Sequence, residues 1–63
     1  MWVLQHEGKY GTEYYVGMRN TVMGWFPEVS EDIRKAMTFR TKADAVSYKR
    51  YVKGRYEVAR KEK

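Results

Sequence analysis

A chain of 63 residues with no cysteine and a single histidine has no disulfide or metal staple available, so packing alone must hold its fold. At this length only about 60% of the surface exposed by the unfolded chain is removed from water, and stability is correspondingly slim. The side chains offered for packing are strongly aromatic: Trp2, Trp25, Phe26, Phe39 and six tyrosines, 16% of all residues. Each buried ring removes a large apolar area from water. The hydrophobic content of 43% separates the chain from disordered sequences, which are depleted in such residues. The expectation is one small domain, residues 1–63, around a tight aromatic core.

The order of local signals predicts an α+β fold. Trp2 to His6 alternates as a strand does, and Gly8 and Gly11 bracket a connection suited to a hairpin. Thr12 to Met18 reads as a second strand, with Tyr14, Val16 and Met18 on one face. Arg19-Asn20 is placed to turn the chain. Thr21 to Phe26 follows as a third strand that Pro27, lacking an N–H, should stop. Ser30 is the expected cap of a short helical turn from Glu31 to Ala36. A short buried strand, Met37 to Arg40, leads to the clearest helix start in the chain. There the Thr41 hydroxyl can accept the N–H of Asp44.

The spacing predicts a helix over 42–53 whose core stripe is Ala45, Tyr48 and Val52. Gly54 stands where a left-handed cap is wanted. Beyond it, the alternation of Tyr56 and Val58 favours a final strand over a continued helix, which would carry a glycine at a cost near 1 kcal/mol. Three to four antiparallel strands packed against one main helix is therefore the expected architecture.

Charge is distributed unevenly. Residues 1–33 hold Lys9 and Arg19 against five carboxylates, a net −3, while residues 34–63 hold eleven cations against three carboxylates, a net +8. A concentrated positive field attracts polyanions and acidic protein surfaces. On the helical count Lys42, Lys49, Arg50 and Lys53 fall in a sector of roughly 100° beside the core stripe. Arg40, Arg55 and Arg60 flank that helix in sequence. These seven residues are the candidate contacts to nucleic acid, where neutralised phosphates release counterions, or alternatively to an acidic surface of a host protein. Tyr15 and Trp25 are the candidates for rings on the outer face of the sheet, able to stack on bases or seat a protein. Such rings could also meet one another in a homo-oligomer.

Catalytic chemistry finds no support in the residues. His6 has no companion ligands, so no metal is expected. Ser30 and Ser47 stand in no nucleophile motif, Glu31 and Asp32 read as charges at a helix start, and Gly8 and Gly11 lack the strand-to-helix setting of a phosphate loop. No enzyme activity and no cofactor are expected. No apolar run approaches the roughly 20 residues of a membrane span, and residues 1–6 do not read as a secretion signal. With no cysteine either, a reducing, cytoplasmic setting without a membrane partner is the expectation.

The stretch Asp32 to Ala45, with its alanine, short strand ending in Phe39 and Thr41-Lys42-Ala43-Asp44-Ala45 helix start, resembles small bacteriophage-encoded accessory proteins. Phe39 to Ala45 is also similar to the end of the arm-binding domain of phage-type integrases. The first resemblance implies a binding factor acting in the host bacterial cytoplasm. The second implies a sheet laid in the major groove through strands two and three.

Overall fold

The computed structural model describes residues 1–52 and 54–61. Four strands form one antiparallel sheet: β1 (Trp2–Gly8), β2 (Gly11–Thr21), β3 (Gly24–Ser30) and β4 (Glu57–Arg60), in the spatial order β3-β2-β1-β4. One α-helix, α1 (Lys42–Lys49), packs across β1 and β4, and a short 3-10 turn, Ile33–Lys35, packs on β2. The architecture is a small α+β fold.

The core forms where the helix meets the sheet. Leu4, Tyr15, Phe39, Ala45, Val52 and Tyr56 are buried together, with Trp2, Val29, Tyr48 and Val58 packed around them. Rings dominate the cluster. Tyr15 lies 5.8 Å from Tyr48 and 5.8 Å from Tyr56, the latter edge-on at 77°; Phe39 lies 5.3 Å from Tyr48. Edge-on and tilted contacts of this kind set positive ring edges against negative faces. The Tyr15 and Tyr48 hydroxyls share a hydrogen bond of 3.2 Å, so the fully buried Tyr15 satisfies its polar end without reaching water.

This placement of Tyr15 corrects the expectation that it lies on the outer face. Adjacent strand residues face opposite ways, and it is Tyr15, not Tyr14, that turns inward. A β-bulge then intervenes: Tyr15 pairs with Val29, but Gly17 pairs with Glu28, leaving Val16 as the extra residue. Met18 therefore does not share the face of Tyr14.

The second turn also falls elsewhere than expected. β2 runs through Arg19-Asn20 to Thr21, and the chain reverses at Val22-Met23. Thr21 fixes that reversal: its hydroxyl donates to the Gly24 carbonyl at 2.9 Å and accepts the Met23 N–H at 3.1 Å. Gly24 supplies the positive φ of +116° that other residues resist. β3 then continues through Pro27 to Ser30 instead of stopping.

The short helical turn is capped by Asp32, not Ser30. The Asp32 carboxylate accepts the Arg34 N–H at 2.9 Å and two guanidinium hydrogen bonds, and this holds its pKa below the ordinary carboxylate value. Thr41 caps α1 as expected, accepting the Asp44 N–H at 3.1 Å. α1 ends at Lys49, shorter than the expected 42–53. Gly54 has φ +128°, and a Cβ there would approach the Tyr56 ring to 2.8 Å, so glycine is required on both counts. Strand β4 forms beyond it, as the alternation of Tyr56 and Val58 indicated.

Residues 37–39 do more than lead into the helix. Trp2 exchanges backbone hydrogen bonds with Phe39 (2.9 and 2.8 Å), while Met37 donates to the Tyr15 carbonyl at 2.9 Å. This segment is wedged between β1 and β2, whose ladder runs only from Gln5↔Tyr14 to Gly8↔Gly11. Beyond the wedge, β2 and β3 continue as a two-stranded arm.

Two outcomes follow from the tyrosine cluster. Tyr15→Phe should lose about 0.5–1.5 kcal/mol, the value of one hydrogen bond. Tyr15→Ala should lose ~3–5 kcal/mol, comparable to the whole stability of a domain this size. Urea titration followed by circular dichroism measures both.

The same cluster makes stability depend on pH. Burial, then the Tyr48 hydroxyl, raises the Tyr15 pKa well above its ordinary value, and burial with the Glu13 charge raises that of Tyr56. Phenolate is thus disfavoured in the fold. The associated stability is present below about pH 10, the unfolded value, and declines as pH rises beyond it. Tyrosinate absorbance should show these hydroxyls ionising only as the fold opens.

Candidate functional site

The candidate cations are sorted by the direction of the elements that carry them. Phe39 is bonded to Trp2 at the start of β1, so α1 begins at the end of the sheet from which the arm projects. The helix runs toward the opposite end, and β4 returns from Glu57, opposite Gln5, to Arg60, opposite Trp2. Arg40, Lys42 and Arg60 therefore gather at the arm end, while Lys49, Arg50 and Arg55 lie toward the other. All six are exposed. Lys53 lies outside the described residues.

Trp2 is the centre of the arm-end group. Its ring packs half-buried against the core on the helix side. The Lys42 ammonium stands 5.8 Å from the ring centroid, a distance at which the ring quadrupole attracts a cation. Arg60 is its direct cross-strand partner on β4, so both side chains leave the same face of the sheet. Sequence reading did not single out Trp2; the signal was present in the alternation Trp2/Leu4 but needed the β4 register to acquire meaning.

Lys42 and Lys49 are seven residues apart on one helix, so they share an azimuth and stand about 10 Å apart along the axis. Arg50 continues the helical backbone as the C-terminal cap. Among the described residues, the ion pair between full charges is Arg34–Asp32 (3.0 Å), and His6 Nε2 lies 3.0 Å from Glu13 Oε1. None of the six candidate cations takes part in either. Arg55 is the least available of them. It lines an open groove of ≈ 440 Å³ with Gln5, His6, Glu7 and Glu57, so two carboxylates share its surroundings. In that groove the His6 ring rests against Tyr56, with centroids 4.9 Å apart. No group of three or more His, Cys, Asp or Glu positioned to hold a metal occurs among the described residues. No helix among them is long and apolar enough to cross a membrane.

The arm carries the second surface. Beyond the bulge, Met18 pairs with Pro27, Arg19 with Phe26, Asn20 with Trp25 and Thr21 with Gly24. Cross-strand partners share a face, and Val29, on the same strand, packs against the helix-side core. Alternation therefore puts Trp25, Pro27, Met18 and Asn20 on the helix side, and Phe26 with Arg19 on the other. Trp25 is thus exposed, at 63%, but not on the outer face as expected. It lies on the helix side beyond the reach of the helix. Phe26 is the outer-face ring. At the tip Val22 is fully exposed and Met23 is 81% exposed.

The free edge of β3 is blunted. In an antiparallel hairpin with a two-residue turn, hydrogen-bonded and non-bonded pairs alternate from the turn outward. Thr21↔Gly24 and Arg19↔Phe26 are then bonded pairs, and the backbone groups of Trp25, Pro27 and Val29 face outward. Pro27 deletes the central outward donor, a device that keeps sheet edges from pairing with other chains.

No family model, curated protein or solved structure matches this chain. Its surface chemistry must therefore be read from its own residues.

Pro27→Val restores the missing donor on an apolar edge. The variant should self-associate in sedimentation velocity at concentrations where the parent chain does not, with its circular dichroism spectrum retained.

Proposed function

We propose that this chain is a non-enzymatic binding protein that engages nucleic acid, alone or within a nucleoprotein complex. The contacts are Arg40, Lys42 and Arg60 at the arm end and Lys49 and Arg50 along the helix, with Arg55 as a weaker contributor. One observation carries the reading: these side chains are exposed and, among the described residues, form no ion pair with a carboxylate. Unpaired surface cations hold condensed anions loosely, and a polyanion that replaces those anions also releases its own counterions. The excess of +8 in residues 34–63 supports attraction over a Debye length, which is about 8 Å at physiological salt. The local resemblance of residues 32–45 to small bacteriophage-encoded accessory proteins supports a setting in a bacterial host.

Fluorescence anisotropy with a labelled oligonucleotide tests this reading. With five or six phosphate contacts, affinity should fall on the order of several hundredfold or more between 50 and 200 mM salt. Lys42→Ala or Arg60→Ala should each flatten the log–log salt slope by about one. Absence of binding at low salt would end the reading.

A second reading, a protein-directed inhibitor or adaptor docking on an acidic host surface, is favoured by the arm. Met18 and Met23 are exposed near Trp25 and Phe26, and methionine packs adaptably in interfaces. Retention of one host protein from a nuclease-treated lysate, lost on high-salt washing, would favour it.

A further inference from the structure

The nucleic-acid reading leaves open whether the ligand is a duplex or a single strand, and the arm bears on that choice. We infer that the ligand is single-stranded nucleic acid, with a base stacked on Trp25 while the adjoining backbone passes over Arg40, Lys42 and Arg60. This inference rests on the reading just proposed.

Three observations support it. First, Trp25, Lys42 and Arg60 share one face of the sheet, and Arg40 stands at the same end. Trp25 follows Val29 and Pro27 by strand alternation, Arg60 stands opposite Trp2, and Lys42 lies over the Trp2 ring. Second, they stand at the same end. The wedge of residues 37–39 separates β1 from β2 there, so the lateral path from Trp2 to β3 is three strand spacings. Trp25 lies two residues farther out along the arm than Pro27. At about 4.8 Å per strand and ~3.3 Å per residue, the span is about 16 Å from Trp2 and about 20 Å from Arg60, one strand beyond β1, within reach of a few extended nucleotides.

Third, the Trp25 ring is an exposed platform. It is 63% exposed, and among the described residues the cations near rings sit over Tyr10 and Trp2 instead. Its cross-strand partner is Asn20, whose amide can donate to and accept from a base edge. A ring face needs a base face, and bases inside a duplex have theirs occupied by their neighbours. Stacking on aromatic side chains beside a cationic track is the mode by which proteins hold unpaired strands without reading sequence.

The other occupants fit less well. A second copy would bring like net charges together, +5 on each chain, and Pro27 blunts the edge by which two arms would pair. A duplex would meet the cations but leave Trp25 idle.

The test uses the whole chain with two probes, a twelve-nucleotide oligo(dT) and a twelve-base-pair duplex, at 50 mM salt. Oligo(dT) should quench tryptophan emission in the parent chain and less in Trp25→Phe, which lacks that emitter. Trp25→Ala should weaken oligo(dT) binding about tenfold or more while changing duplex affinity less than twofold. The residue is exposed, and circular dichroism checks that the variant remains folded. Equal losses on both probes, or unchanged oligo(dT) affinity in Trp25→Ala, would overturn the inference, and the latter returns the arm to protein contact. If neither probe binds the parent chain, the nucleic-acid reading itself fails and this inference goes with it.

Discussion

Tyr15 is the residue on which the rest of the molecule depends. Its ring meets Tyr48 from the helix and Tyr56 from the approach to β4, and its hydroxyl finds a partner in Tyr48. Its carbonyl receives Met37 from the wedge. A chain without disulfide or metal has few ways to tie a helix, a returning strand and a wedge to one sheet. A buried phenol does so because its large apolar body packs in three directions while its polar end stays satisfied. The inward turn of Tyr15 also fixes which residues of the arm look toward the helix.

The arm and the cations are therefore not independent features. The wedge at residues 37–39 starts the helix beside Trp2 and, by displacing β1 from β2, frees the end of the hairpin. One structural decision thus gathers Arg40, Lys42 and Arg60 at one end and extends an apolar ribbon from the same end. The cations extend along the helix from Lys42 to Arg50, and Arg55 shares a groove with Glu7 and Glu57. The electrostatic surface is a track with a stronger arm end, not a uniform field.

Much of the fold was legible from local chemistry. Thr41 with Asp44 and the alternations at Trp2/Leu4 and Tyr56/Val58 each encode their structure within a few residues, and each was read correctly; Gly54 has the expected left-handed backbone but does not cap the helix, which ends at Lys49 with Arg50 as its cap. What escaped sequence reading was long-range. Tyr14 and Tyr15 compete for the inward position with equal intrinsic merit, and only the register with β1 and β3 decides between them. The turn at Val22-Met23 lost out to Arg19-Asn20 on residue preference because the Thr21 hydroxyl that fixes it is a tertiary detail of the hairpin. Pro27 looked like a terminator, yet on an edge strand its missing donor faces outward and costs nothing to the ladder. Six of the seven candidate cations lie among the described residues and are exposed, but the face of Trp25 could not be known without the parity that Tyr15 and Val29 set.

The pairing of Trp2 with Arg60 has a consequence for how the molecule comes into being. Trp2, at the start of β1, meets Phe39 and Arg60 only after the intervening residues have been made, whereas the Gln5–Gly8 end of the same strand pairs with the nearby β2. Contacts so distant in sequence slow folding because loop closure must precede any reward. The β1–β2 and β2–β3 hairpins can form from adjacent residues while the Trp2 end of β1 still lacks its partners, so the uncovered Val, Met, Trp and Phe side chains of the arm are on view before the core closes. Pro27, lacking a donor on the open edge of β3, then removes one hydrogen bond by which two such hairpins could join.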